Sequence, residues 1–128
     1  MSLTVERLPD EPIIIATFHG NTNVEEAHNL FAQSDALIDG DEKVVRITDY
    51  RELTPDFATA MKAAQMVKQG EPGSTSDPRI TPIIVGTTAW ARLSRDMIRQ
   101  PQWGSVEIAI FTTMDDALTY ARGIIAQW

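Results

Sequence analysis

"KVVRITDYRELTPDFATAMKAAQMVKQG", residues 43–70, decides the fold. Its opening, KVVRITDY, is a short β-branched run of the kind that builds a strand. The remainder reads as a helix. Thr54 stands at the N-cap, Pro55 at the first helical position and Asp56 near the positive end of the dipole. Phe57, Ala60, Met61, Ala64 and Val67 then recur at helical spacing and are expected to form its buried stripe. A strand that feeds directly into a helix is the repeating half-unit of a parallel α/β sheet.

The flanking sequence extends that pattern in both directions. Upstream, LTVERL and PIIIATFHG are β-rich runs joined by the turn signal PDEP, which predicts a hairpin. In NVEEAHNLFAQSDALIDG, the residues Val24, Ala27, Leu30, Phe31, Ser34, Leu37 and Ile38 keep helical spacing, and Gly40 is expected to end the helix. Its cap is either Thr22, which has capping-box spacing to Glu25, or Asn23. Downstream, EPGSTSDP at 71–78 is a breaker-rich loop, and ITPIIVGT is a strand apolar on both faces. AWARLSRDMIRQ is a helix stopped by Pro101, and SVEIAIFT is the last strand. Thr113 with Asp116 caps a closing helix whose apolar face carries Leu118, Ala121, Ile124 or Ile125, and Trp128.

The expected order is β-β-α-β-α-β-α-β-α over a single α/β domain, residues 1–128. Right-handed crossovers imply a mixed, mostly parallel five-stranded sheet with an N-terminal antiparallel hairpin and four helices. The hairpin leaves an edge through which a homodimer could form.

The net charge of −7 argues against a nucleic-acid partner. Without cysteine, disulfides, thiolate catalysis and zinc–thiolate sites are excluded. No apolar run reaches signal-peptide or membrane-spanning length, so a cytoplasmic location is expected.

The order of elements, with three local phrases, resembles the STAS domain of the bacterial anti-sigma-factor antagonists. IIIATFHGNTNVEEAHNLF is similar to that family's second strand, which ends in Gly before a helix. KVVRITDYREL resembles its central strand ending in Asp, and SVEIAIFTTMDDAL its closing strand and helix. The resemblance implies a non-enzymatic regulatory or protein-interaction module. Signalling members carry Asp-Ser-x-Gly at the start of the next helix, with the Ser phosphorylated by a partner kinase. ELTPDFATAM lacks that motif, and only Thr54 stands where the hydroxyl would sit. The chain thus looks like the divergent STAS-like proteins, which shade toward lipid-binding Sec14-type domains. That implies an alternative, a domain binding a small anionic or lipid-like ligand.

Candidate sites follow from residue types. Thr54 is either a helix cap or a modifiable hydroxyl, since a phosphate would sit well at the positive helix end. Asp49 reads either as a strand-end residue bonding the following turn or as the phosphoacceptor of a degenerate receiver-like domain. The receiver reading needs an acidic pair after the first strand and a Lys on the last, and neither is present. The helix starts at Thr54 and Thr88 offer backbone N–H groups to an anion. Arg92, Arg95 and Arg99 share a helix face, with Arg79 upstream and Asp96 opposing. That face is either solvated and balanced by neighbouring acids or a dock for an anionic partner. Trp103, in the loop PQWGS, is a packing residue or a contact anchor.

His19 and His28 lack metal-ligand spacing, DGDE at 39–42 is a turn, and QGEPGSTSDP lacks the Lys of a phosphate-binding loop. No metal, cofactor or catalytic constellation is expected, and the partner is an unidentified protein or a small anionic ligand.

Overall fold

A computed structural model describes residues 3–54, 57–86, 89–101 and 106–128, the side chains of residues 89, 90, 93 and 94 excepted. Its elements are β1 (Leu3–Arg7), β2 (Ile13–Asn21), α1 (Val24–Ala36), β3 (Val44–Thr54), α2 (Phe57–Lys68), β4 (Ile80–Val85), α3 (Ala89–Arg99), β5 (Ala109–Phe111) and α4 (Met114–Ile125). This is the expected order. The strands lie in sequence order across one sheet, β1 antiparallel to β2 and the other pairs parallel. β4 lies inside the sheet, between β3 and β5, which is why its residues are apolar on both faces.

Strand alternation sorts the core into two layers. Ile13, Val45, Ile47, Ile83 and Val85 face α4, which meets them with Ala117 and Ala121. The opposite face carries α1, α2 and α3. There Ala16 and Phe18 pack with Leu30, Phe31 and Val67, and Ile84 packs with Ala91 and Ile108.

Asn23, not Thr22, caps α1: its side chain accepts from the Glu26 amide at 2.9 Å. α1 ends at Ala36, earlier than expected, and Gly40 serves the following turn with φ +58°. β3 runs on to Thr54, well past Tyr50, because Glu52, Leu53 and Thr54 pair with His19, Gly20 and Asn21 beyond a register shift in β2. β5 is only Ala109–Phe111. Three residues before it, the Val106 amide donates to the Ile98 carbonyl of α3.

Two apolar side chains expected in the core are outside it: Phe57 is 62% exposed and Trp128 is 48% exposed. Both sit near helix ends. Helical spacing specifies the angle of a side chain around the axis, not whether the sheet extends far enough to cover it.

Thr113 caps α4 as expected, accepting from the Asp116 amide at 3.1 Å, with Asp115 and Asp116 in the first turn. Thr113→Ala should therefore lower stability by about 1 kcal/mol while Thr113→Asp stays near wild type, as urea unfolding would show.

Candidate functional site

The cavity of interest lies on the three-helix face, above β2 and β3. Its volume is about 100 Å³. α2 contributes Ala60, Ala63, Ala64 and Val67, and the run of alanines leaves the space unfilled. Phe18, Leu30, Phe31, Leu53 and Ile98 supply further apolar wall, while Thr22, Arg46, Thr48, Tyr50 and Thr75 supply polar atoms.

Arg46 is the unusual member. It stands in β3 between Val45 and Ile47 and is 2% exposed. Its Nη1 donates to Ser34 Oγ at 3.2 Å and to the Gly73 carbonyl, and its Nη2 donates to Thr75 Oγ1 at 3.0 Å. The guanidinium lies over the Phe31 ring, 5.7 Å from its centroid. All of these partners are neutral. No carboxylate among the described residues forms an ion pair with Arg46. Burial pushes its pKa down to about 10, against the pull of Tyr50 and Asp77, so it remains cationic at neutral pH. Burial also pushes the Tyr50 phenol up, opposed by the Arg46 charge. Among the described residues, two buried side-chain polar atoms lack a hydrogen-bond partner: Arg46 Nε and Thr22 Oγ1. Both belong to residues lining this cavity.

The sequence-derived candidates lie elsewhere. Asp49 is buried inside β3, not at its end. It accepts from the Arg51 amide at 3.0 Å and from Arg51 Nε and Nη2 at 3.0 and 2.8 Å. Burial pushes the Asp49 carboxyl up, but the bonds from Arg51 outweigh it and hold the group below its ordinary value. Thr54 is the exposed last residue of β3, paired with Asn21, and α2 is described from Phe57 onward. Pro55, Asp56, Thr88 and Trp103 lie outside the described residues.

On α3, Arg95 Nε and Arg99 Nη2 both reach Asp96 Oδ1, at 2.9 and 3.3 Å, while Arg92 is exposed. Arg79 does not join that face; it is held by Asp77, Asp35 and the Gly40 carbonyl. His19 and His28 are apart, on Glu52 and Glu71. Sequence reasoning passes over Arg46, although an arginine inside an apolar central strand is a legible anomaly.

No protein-family model matches the chain, and no curated protein matches it. Solved structures do. An uncharacterised protein with a SpoIIAA-like fold from Shewanella loihica superposes with a TM-score of 0.63 at 16% identity, covering 94% of this chain and 92% of its own. An anti-sigma factor antagonist from Mycobacterium paratuberculosis gives 0.54 at 13% identity, covering 94% and 93%. The chain has a STAS-like fold. Among the described residues no helix is long and apolar enough to cross a membrane.

Proposed function

We propose that the protein is a non-enzymatic regulatory module that docks another protein where β3 ends and α2 begins. The observation that carries this reading is Phe57, a large apolar side chain 62% exposed at the first described turn of α2. Exposed Arg51, Glu52 and Thr54 precede it, so an apolar anchor is set among polar groups, the composition of a protein contact. The likeness to an anti-sigma factor antagonist supports a regulatory role by analogy of fold.

A photo-crosslinking residue at position 57, compared with one at exposed Thr119 on α4, tests the reading. Position 57 should give discrete, saturable adducts that position 119 does not. Identical patterns from both, or none, would count against it. Phe57→Asp should abolish docking yet change stability by no more than about 0.5 kcal/mol by urea unfolding, because the side chain is already in water.

A second reading, a domain for a small anionic ligand, is favoured by the cavity under α2, which gathers both unpartnered buried polar atoms. The two readings share one element, since α2 carries Phe57 and also roofs the cavity. Thermal-shift screening of small anions against neutral analogues checks it.

A further inference from the structure

We infer that the cavity under α2 binds a monocarboxylate bearing a short apolar tail, with the Arg46 guanidinium as its counter-charge. This assignment rests on the ligand-binding reading above and names the ligand class.

A buried charge is costly unless it is paired. The Ser34, Gly73 and Thr75 oxygens fix the guanidinium in place without neutralising it. The carboxylate whose charge acts on Arg46, Asp77, is itself engaged by Arg79. The protein thus holds a positive charge in its interior with one buried donor, Nε–H, unpartnered. Thr22, from the segment between β2 and α1, is a second lining residue with an unpartnered buried polar atom, its hydroxyl. A carboxylate suits this charge. One negative charge balances one positive, and an oxygen brought to Nε–H gives that buried donor its partner.

The alternatives fit less well. A phosphomonoester carries more negative charge than Arg46, the one lining cation among the described residues, can balance. An alkylammonium would add a second cation, and a neutral alcohol leaves Arg46 uncompensated. The tail is set by Phe18, Leu30, Leu53, Val67 and Ile98, which offer only apolar surface. Its length is limited by a volume of about 100 Å³, small beside sites for drug-sized ligands.

Hexanoate, hexan-1-ol, hexylamine and hexyl phosphate are the probes, titrated into the whole protein while the Arg46 Nε–Hε resonance is followed by NMR. Hexanoate should shift that resonance and bind about tenfold or more tightly than hexan-1-ol, the worth of one charge-assisted hydrogen bond. Arg46→Met should erase the preference, leaving acid and alcohol equal. Ala63→Leu, which adds atoms to the empty space and keeps the charge, should abolish binding of both. It decides the matter if Arg46→Met does not fold. Tighter binding of the alcohol, the amine or the phosphate would overturn the carboxylate assignment and leave the ligand-binding reading standing. No binding by any probe would overturn both. Hexanoate binding that survives Ala63→Leu would place the ligand elsewhere and sink the assignment.

Discussion

Gly73→Ala is expected to destabilise the protein by about 4 kcal/mol or more, an exceptional loss for a single methyl group. Gly73 is buried with φ +81°, a backbone conformation that costs an L-residue about 1–2 kcal/mol. The larger part is steric. A Cβ there would fall on the Phe31 carbonyl oxygen and stand 2.9 Å from the Asp35 nitrogen. Both are backbone atoms of α1, so no side-chain rotation relieves the overlap, and either the loop or the helix must move. If the loop moves, Arg46 loses the Gly73 carbonyl and Asp77 loses the Gly73 amide. Gly70→Ala is the control. It has a similar φ of +73° but nothing within 4 Å of the added carbon, so only the backbone term remains, about 1–2 kcal/mol. Urea unfolding of the two variants measures the difference. Equal losses would mean that the 71–79 loop does not press against α1.

That loop also shows where sequence reading stops. Its Gly, Pro, Ser, Thr and Asp residues announce turns, and turns are present: Ser74 N bonds Glu71 O, and Asp77 N bonds Ser74 O. The same residue types also make exposed loops. Nothing local says that Gly73, Ser74 and Asp77 are buried; contact with α1 and with Arg46 decides that, and both are distant in sequence.

The strand–helix order was legible because periodicity is local and repeated in every element. The ends of elements were not, because pairing partners set them. β3 outran its apolar stretch because β2 was there to pair, and β5 fell short because the Val106 amide went to α3. The candidate site divided along the same line. Asp49 was legible as a hydrogen-bonding residue, and Asp-x-Arg recurs as Asp49–Arg51 and Asp77–Arg79, the carboxylate accepting from the Arg backbone and guanidinium both times. The cavity was not legible, since it arises where three helices leave β2 and β3 incompletely covered. Only the misplaced charge of Arg46 hinted at it.

Asp77→Asn is expected to cost about 2–3 kcal/mol at neutral pH, and the cost should fade in acid. The Asp77 carboxylate is buried and accepts from the Gly73 amide at 2.8 Å, the Arg79 amide at 2.9 Å, and Arg79 Nε and Nη2 at 3.0 and 2.6 Å. An amide turns one of those acceptors into a donor facing donors and removes the charge opposite Arg79. Arg79 also holds Asp35 and the Gly40 carbonyl, so the loss reaches the end of α1 and the turn before β3. The Arg79 side chain, outweighing burial, holds the Asp77 carboxyl at about 2, down from an ordinary 3.8. A carboxyl whose folded value is depressed contributes its stability above the unfolded value and loses it as pH falls through the folded one. The contribution is therefore complete above pH 4 or so and drains between about 4 and 2. Glu42, held at about 2 chiefly by its hydrogen bonds from Arg7, adds to the acid loss of the whole protein. The difference between wild type and Asp77→Asn removes that common part. Urea unfolding of both proteins at several pH values between 2 and 7 should show that difference shrinking by about 2 kcal/mol below pH 4. A difference that stays constant across the range would mean that Asp77 stabilises the loop by shape alone, with its charge contributing nothing.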